Sequence, residues 1–292
     1  MQGIIIINKP QGFTSQDVVS KTKKILNVKK AGHTGTLDPL ATGVLPVLIG
    51  NYTKLSKYLI EHDKTYVAKI KLGEKRVTGD KEGEITETKL VNQELLTKAN
   101  VENVLESFIG KQLQTPPIYS AIKVNGKKLY EYARQGINVN IEPREIEVYK
   151  LELININIEE CEIEISVSCS KGTYIRVLCE DIAQKLDTVG YMSFLNRVIV
   201  DKFTIEKAID FETLEKNKDN EEFLKNNIIK MEDIFCDFPK LILNSRKLEL
   251  FLNGVMLTFT YPDGIYNIYD ENKNYIGTGI IKSELLKRDI II

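Results

Sequence analysis

The most informative part of this 292-residue chain is a loop that reads Ala31-Gly32-His33-Thr34-Gly35-Thr36-Leu37-Asp38-Pro39-Leu40-Ala41-Thr42-Gly43. Its glycines allow tight turns and let a ligand come close to the backbone. Pro39 fixes its own φ and pushes Asp38 toward an extended conformation. The loop therefore presents a single acid from a stiff frame of small residues. Two interpretations are open here: a functional loop, or a tight surface turn whose Asp38 only caps a helix.

Length and composition bound the class of protein. A chain of 292 residues fits one large domain, or one large and one small. Its hydrophobic content of 42% is enough for a core, and no apolar run approaches the roughly 20 residues that span a bilayer. The apolar run Ile4–Ile7 is too short for a signal peptide and predicts a buried strand. We therefore expect a cytoplasmic protein with no membrane partner.

The charge distribution points to nucleic acid although the net charge is only −1. Residues 1–80 contain 13 Lys and Arg against 6 Asp and Glu, whereas the remainder contains 27 against 35. The N-terminal part therefore offers a positive field near the glycine-rich loop, and the acidic remainder limits non-specific binding.

The cysteines and histidines do not predict a metal site. Cys161, Cys169, Cys179 and Cys236 form no C-x-x-C pair, and the chain has only two histidines. A disulfide framework is not expected at this size in the cytoplasm, so we expect four small buried hydrophobic residues. The sequence also lacks the glycine-rich motifs that bind nucleotides. It therefore predicts neither a metal nor a cofactor.

Hydrophobic periodicity predicts a mixture of strands and helices. The clearest strands alternate apolar and polar residues over Lys64–Leu72 and Glu162–Cys169, which places Tyr66 on an apolar face. A helix capped by Thr14 or Ser15 follows the first strand, and another begins near Ile175. Further predicted elements are an apolar stretch over residues 44–49, a helix through residues 55–59, a connecting stretch with some helix over 206–234, a short helix near 247–252, and two strands over 265–269 and 275–281.

The segment from about 114 to 140 mixes tyrosines with Lys123, Lys127, Lys128 and Arg134. This composition suits a surface that contacts phosphates and stacks on bases. An ordinary amphipathic hairpin followed by a helix would have the same composition.

Few side chains are suited to chemistry. They are Asp38, the nearby His33, Tyr66 on its strand, and Tyr174 with Arg176 at a junction between strand and helix. A single carboxylate suits covalent or proton-transfer chemistry at a sugar carbon, whereas hydrolytic glycosidases normally use two. An arginine beside Asp38 would lower the pKa of its carboxyl group, so that the acid would act as a nucleophile or base.

Five motifs in order along residues 3–210 resemble the bacterial TruB family of tRNA pseudouridine-55 synthases. Gly32–Gly43 resembles the family signature and Lys64-Thr65-Tyr66 its tyrosine motif. The others are Asn8-Lys9-Pro10, Ser170-Lys171-Gly172-Thr173-Tyr174-Ile175-Arg176 and Phe194-Leu195-Asn196-Arg197, with an RNA-gripping insertion from Pro117 to Arg134. Agreement in five ordered motifs favours a functional Asp38 over the turn interpretation.

The resemblance implies an α/β (α+β) pseudouridine synthase fold: a mixed, largely antiparallel sheet flanked by helices. It implies a catalytic domain over residues 1–234 and a small β-rich PUA-like RNA-binding domain over 235–292. The implied enzyme is an isomerase that acts on uridine 55 in the TΨC loop of tRNA. It breaks the N1–C1′ bond, turns the uracil and rejoins it through C5, without a cofactor or an obligatory protein partner.

The resemblance also implies roles for particular residues. Asp38 is similar to the catalytic aspartate, Tyr66 to the tyrosine that stacks on the target base, and Arg176 to the arginine that pairs with the aspartate. His33 is similar to the histidine that fills the space left by flipped nucleotides. The remaining implied substrate-binding residues are Tyr174, Leu195, Lys9 and Asp80, and the implied RNA contacts are Lys123, Lys127, Lys128 and Arg134. For two of them an alternative is open: Lys9 either supports the loop or contacts phosphate, and Asp80 either contacts substrate or only caps its turn.

Two features depart from the family pattern. The family often carries a further aspartate where Val77 stands, and the C-terminal segment has few recognisable motifs. An alternative function is a tRNA-binding or tRNA-folding module in which modification is secondary. A guide-RNA-dependent relative is a third interpretation, less favoured because the basic insertion is a feature of the stand-alone enzymes.

Overall fold

A computed structural model describes residues 1–59 and 62–292 of the chain. Its main body is a ten-stranded mixed sheet in which the strands Thr42–Ile49 and Gly190–Val200 run parallel and the other neighbours run antiparallel. The strands are β1 Gly3–Lys9, β2 Ala31–His33, β3 Thr42–Ile49, β4 Lys64–Leu72, β7 Gly110–Gln114, β10 Arg144–Asn157, β11 Glu162–Cys169, β12 Gly190–Val200, β13 Phe203–Thr204 and β14 Ile228–Ile229. The sheet order is β14-β1-β3-β12-β4-β11-β10-β7, with β2 paired to β3 and β13 to β12.

Helices cover this sheet. Local residues at their N-termini determine where the helices begin. Thr14 caps the helix Ser15–Ile25 through a reciprocal pair of contacts with Asp17, and Tyr174 precedes the helix Ile175–Lys185. The helices that precede the C-terminal part are α1 Ser15–Ile25, α2 Ser56–Leu59, α3 Lys98–Glu106, α4 Leu129–Ala133, α5 Ile175–Lys185, α6 Phe211–Lys216, α7 Glu221–Asn227 and α8 Met231–Ile234, with 3₁₀ turns at Gly50–Leu55, Gln93–Leu95 and Ile205–Lys207.

The two predicted alternating strands have the bounds that the sequence indicates. In β4 and β11 every second residue is buried, and the two strands pair with each other, with Tyr66 opposite Val167. The connecting stretch over 206–234 contributes an edge strand, because β14 pairs with β1. The mixed fold predicted from the sequence is confirmed.

Two of the four cysteines contradict the expectation of burial. Cys169 and Cys179 are buried, but Cys161 is only half-buried and Cys236 is exposed. Cys161 lies in the turn between β10 and β11 and Cys236 follows α8, so both lie outside the regular elements that bury Cys169 and Cys179.

Two small hairpins lie outside the main sheet: β5 Glu74–Arg76 with β6 Ile85–Thr88, and β8 Lys123–Val124 with β9 Lys127–Lys128. The C-terminal part forms its own five-stranded sheet in the order β15-β17-β18-β19-β16, with α9 against it. Its elements are β15 Lys240–Ile242, α9 Ser245–Leu252, β16 Leu257–Thr258, β17 Gly264–Tyr269, β18 Tyr275–Lys282 and β19 Leu285–Ile291.

The C-terminal sheet packs on the main body through a mixed contact. Tyr58 and Thr278 both donate to the Asp289 carboxylate, at 2.6 and 2.9 Å, and Lys57 pairs with the same group. Ile290 belongs to the hydrophobic cluster under β1 and β3. Within the described ranges, no helix combines the length and the apolar character needed to cross a bilayer.

Candidate active site

The Asp38 loop is held by the elements on both sides of it. It leaves β2, which pairs with β3 so that His33 lies opposite Val47, and it returns into β3 at Thr42. Ser15, the first residue of α1, accepts from the Leu37 amide at 2.9 Å and donates to the Leu37 carbonyl at 3.2 Å. These contacts fix the backbone immediately before Asp38.

Lys9 holds the same loop from below. Its side chain is 0% exposed, and its ammonium group donates to the carbonyls of Pro39 and Pro10 at 3.1 Å and of Ala41 at 2.5 Å. Burial lowers the pKa of Lys9 to about 8, with Asp38 acting in the opposite direction. The implied role of Lys9 in substrate binding is not supported by this placement, because all three donors are used inside the protein.

Arg176 joins Asp38 to two other parts of the chain. Its Nε lies 3.1 Å from Asp38 Oδ2, and only 7% of its side chain is exposed. Its Nη1 donates to the Thr78 carbonyl at 2.8 Å and its Nη2 to the Tyr119 carbonyl at 2.9 Å. One guanidinium group therefore connects the acid, the polar loop after β5 and the insertion, using the fork geometry that lysine lacks.

Asp80 lies on the far side of the same guanidinium. Its Oδ2 is 3.8 Å from Arg176 Nη1, and its Oδ1 accepts from the Thr78 hydroxyl at 2.6 Å and the Glu82 amide at 3.1 Å. The residue is buried and closes its own turn. Val77, where the family often has an aspartate, is 46% exposed.

The pKa of Asp38 differs in direction from the expectation. Arg176 does lower the pKa of the Asp38 carboxyl group, but burial is the larger effect and raises it, and the charge of Asp80 adds to the rise. The side chain keeps 40% of its surface exposed, so the acid is open to a ligand. Arg176 thus lowers the pKa as expected from the sequence, but burial sets the net direction, and sequence spacing does not reveal how deeply the loop is enclosed.

Tyr66 reaches the site from β4. It is 8% exposed and belongs to the hydrophobic cluster that contains Leu37, Leu40 and Leu195. Burial raises the pKa of the Tyr66 hydroxyl, Arg197 lowers it, and the charge of Asp38 raises it further. The structure thus brings Asp38, Tyr66 and Arg176 into one neighbourhood.

The other implied substrate-binding residues surround this group. His33 has a buried Nδ1 that makes no hydrogen bond within the described chain, and burial followed by the charge of Arg197 lowers the pKa of its imidazole. Tyr174 stands at the start of α5, where its backbone exchanges two hydrogen bonds with the side chain of Gln114. Leu195 is packed in the core opposite Ala68, so its only exposed surface is small.

The insertion carries the predicted basic and aromatic side chains. The Lys127 ammonium lies 4.7 Å from the centre of the Tyr132 ring and donates to Gln135. The Lys128 ammonium lies 5.3 Å and the Arg134 guanidinium carbon 5.4 Å from the centre of the Tyr130 ring. Lys123 is exposed on β8. Such cation–π contacts keep the basic groups near aromatic faces.

The sequence did not assign a role to two residues that the structure brings to the site. Arg197 stands in the motif Phe194–Arg197, and its side chain lies under the Asp38 loop. Gln114 ends β7 and ties the base of the insertion to Tyr174. The position of Arg197 in a family motif could have indicated a role for it, whereas no pattern in the sequence singled out Gln114.

Comparison with known proteins identifies the family. Residues 23–175 match the model of the TruB family pseudouridylate synthase N-terminal domain. The chain is 42% identical over 289 residues to a tRNA pseudouridine synthase B from Caldanaerobacter subterraneus subsp. tengcongensis, which covers 98% of both chains. It is 40% identical to the protein of the same name from Clostridium kluyveri, over 97% of this chain and 96% of that one.

The chain therefore belongs to the TruB family of pseudouridylate synthases, enzymes that convert uridine to pseudouridine, and it is an isomerase. Among solved structures, the crystal structure of a Cbf5-Nop10-Gar1 complex aligns with a TM-score of 0.70 at 25% identity, covering 99% of this chain and 84% of that chain. An archaeal box H/ACA Nop10-Cbf5 complex aligns equally well at 23% identity and shows the shared fold.

Proposed function

We propose that this chain isomerises uridine 55 in the TΨC loop of tRNA to pseudouridine, with Asp38 acting on the ribose. The observation that carries the proposal is the 3.1 Å contact between Arg176 and Asp38 in a neighbourhood that Tyr66 shares. The relatives from Caldanaerobacter and Clostridium carry the name tRNA pseudouridine synthase B, which supports tRNA as the substrate.

Each step has a group suited to it. The uridine leaves the RNA stack at a cost of a few kcal/mol, and the Tyr66 ring offers a stacking surface worth about 1–3 kcal/mol. Asp38 then attacks C1′ or removes a proton from C2′, and the N1–C1′ bond breaks. Both roles need the carboxylate form, which the adjacent Arg176 favours against the effect of burial.

The second half of the reaction needs a base rather than a nucleophile. After the uracil turns, C5 forms the bond to C1′. In this step the Asp38 carboxylate is displaced from C1′ or, on the other route, returns its proton to C2′, and C5 still carries its own proton. Removal of that proton restores the C5–C6 double bond, and N1 takes up a proton from solvent. The hydroxyl of Tyr66, which is close enough to Asp38 to feel its charge, is the base that we assign to this step.

The remaining residues are proposed to bind RNA. His33 fills the space of flipped nucleotides, Tyr174 and Leu195 line the uracil site, and Asp80 orients Arg176. Lys123, Lys127, Lys128 and Arg134 contact phosphates of the T-arm. Lys9 acts on the Asp38 loop and not on the RNA, because its donors are already used.

We also propose that residues 235–292 form a PUA-like RNA-binding domain on a catalytic domain of residues 1–234. A separate hydrophobic cluster from Leu241 to Leu286 supports this division. Whole tRNA should then bind more tightly than its T-arm stem-loop, and deletion of the acceptor arm should remove the difference.

The proposal is tested by mapping pseudouridine in a T-arm stem-loop transcript treated with the purified chain alone in the presence of EDTA. We expect one modified uridine, at position 55. A transcript in which that uridine is replaced by cytidine is the matched control and should remain unmodified. Modification at another position, or none, contradicts the proposal.

The alternative of a tRNA-folding module is favoured by one observation, the self-contained basic and aromatic arm. It makes a different prediction for cells that lack the gene. The variant Asp38→Asn should restore their growth but not the pseudouridine if folding activity matters. Failure to restore either would leave isomerisation as the sole function.

A further inference from the structure

Arg197 and Lys9 are two almost completely buried cations that hold the Asp38 loop. Arg197 lies on β12 with 1% of its surface exposed. Within residues 1–59 and 62–292 it forms no ion pair with a carboxylate, although a buried charge without compensation costs several kcal/mol. Burial accordingly lowers the pKa of its guanidinium group. A group this costly to bury needs an explanation beyond packing.

Hydrogen bonds from Arg197 fix both ends of the Asp38 loop. Its Nη2 donates to the Gly35 carbonyl at 3.0 Å, and its Nε donates to the Val44 carbonyl at 2.8 Å. Gly35 has a φ of +75°, and a Cβ there would lie 3.3 Å from Arg197 Nη1. At Gly43, with φ +104°, a Cβ would lie 2.2 Å from the Arg197 carbonyl oxygen. The glycines of the signature thus let the loop close onto this arginine.

Arg197 also meets Tyr66. The two residues are direct partners in the antiparallel pairing of β12 with β4, so their side chains leave the same face of the sheet. The guanidinium group interacts with the Tyr66 hydroxyl, and this contact and its charge lower the pKa of the phenol. One side chain therefore contacts the loop that carries the acid and the ring that carries the hydroxyl.

We propose that Arg197 is a positioning residue that couples Tyr66 to the Asp38 loop and stabilises the negative charge on the Tyr66 oxygen. This rests on the proposed function, in which the Tyr66 oxygen takes the C5 proton, the C5–H electron pair restores the C5–C6 double bond, and N1 is protonated by solvent. A fixed cation beside that oxygen favours its unprotonated form before the transfer. Direct RNA contact is ruled out by the burial of Arg197.

Two variants of Arg197 separate the effect of its charge from that of its hydrogen-bonding geometry. Arg197→Lys keeps the cation but loses the planar fork that reaches two carbonyls, whereas Arg197→Gln keeps hydrogen-bonding capacity and loses the charge. Each is made in the native chain and in a Tyr66→Phe background. Lys202→Gln is the matched control, because Lys202 also donates to two carbonyls, those of Asp233 and Ile234, away from Tyr66.

The measurement is the single-turnover rate of tritium release from C5 of uridine 55 across pH, with tRNA affinity and thermal unfolding measured alongside. We expect Arg197→Gln to lower the rate about tenfold to a hundredfold and to move the rising limb of the pH profile to higher pH. The limb moves because the phenol loses its neighbouring charge. Arg197→Lys should leave that limb near its native position, and tRNA affinity should change less than threefold in both.

The decisive comparison is between the effect of each Arg197 variant in the native chain and its effect in the Tyr66→Phe background. If Arg197 acts through Tyr66, neither variant should lower the rate much further in the Tyr66→Phe background. An unmoved pH limb in Arg197→Gln, or rate losses that multiply with Tyr66→Phe, would overturn the inference in favour of a purely structural role. If Arg197→Gln does not fold, the double-mutant cycle of Arg197→Lys with Tyr66→Phe still distinguishes coupling from a purely structural role. Absence of pseudouridine with the native chain would refute the proposed function instead.

Discussion

The Asp38 loop and the insertion from about 114 to 140 are both irregular, yet they are held in opposite ways. The loop is fixed by buried side chains from three distant elements: Lys9 of β1, Ser15 of α1 and Arg197 of β12. The insertion is held mainly by its own contacts, such as Tyr132 to the Val124 carbonyl at 3.1 Å. Arg176 is the residue that touches both, through Asp38 and the Tyr119 carbonyl.

This difference matches two tasks. A reacting group must be held in one geometry, which requires contacts that overdetermine its loop. A surface that follows an RNA backbone gains from exposed cations on an arm with few anchors. We therefore expect changes in the loop to reduce turnover and changes in the insertion to reduce affinity.

The sharpest test of the loop is Asp38→Asn, which keeps the shape of the side chain. We expect turnover to fall about a thousandfold or more, because the amide is neither nucleophile nor base, while tRNA still binds. Pseudouridine formation and tRNA affinity are measured together. Asp219→Asn, at an exposed position between α6 and α7, is the control. Normal turnover by Asp38→Asn would remove the catalytic assignment.

Tyr66→Phe tests the second half of the reaction. We expect turnover to fall strongly and tRNA affinity to stay within about tenfold, because the ring and its stacking remain. The rate of C5 proton release in a single turnover is the measurement. Tyr261→Phe, at a residue that is 52% exposed in the C-terminal part, should release the C5 proton at the native rate. A large loss of affinity with normal turnover would contradict the assignment.

The double variant Lys127→Ala, Lys128→Ala tests the insertion. We expect affinity for tRNA to fall about tenfold and the slope of log affinity against log salt to flatten by about one to two. Turnover of bound tRNA should remain close to native. The double variant Lys207→Ala, Lys225→Ala changes the same charge at exposed positions elsewhere. An unchanged salt slope would show that the insertion does not contact phosphates.

Lys9→Met tests how the loop is held, through pH. The pKa of Lys9 is about 8 in the folded chain against an ordinary value of 10.5. Between these values the unfolded chain binds more protons, so raising the pH favours folding. The free energy of unfolding of the native chain relative to Lys9→Met should therefore rise from pH 8 to pH 10.5, by up to about 3 kcal/mol. Below pH 8 the difference should be flat.

Urea unfolding at several pH values gives this difference, and Lys225→Met is the matched control at an exposed position. A relative stability that falls with increasing pH would mean that Lys9 is more easily kept charged in the folded chain than in the unfolded one.

How much of the fold could be predicted depended on the burial pattern of each element. β4 and β11 have one buried face and alternate cleanly, so their bounds followed from the sequence. β12 was not predicted as a strand, because its burial does not alternate regularly and its register shifts near Ser193 and Val198. β14 is a two-residue edge strand that carries no periodic signal of its own.

In the candidate site, too, some features could be predicted from the sequence and others could not. The order of the motifs singled out Asp38, Tyr66 and Arg176, and the structure brings these three residues close together. The burial of Lys9 and the direction of the Asp38 pKa could not be predicted, because both depend on how much of the surrounding protein excludes water.

The sequence by itself determined the alternating strands, the capped helices and the glycines that permit the loop conformation, since these follow from interactions between near neighbours. Only the tertiary structure decided that Arg197 and Tyr66 stand opposite each other, and that the Gly35 carbonyl accepts a hydrogen bond from a residue 162 positions away. Such contacts arise from sheet register, and register is set by the packing of the whole sheet.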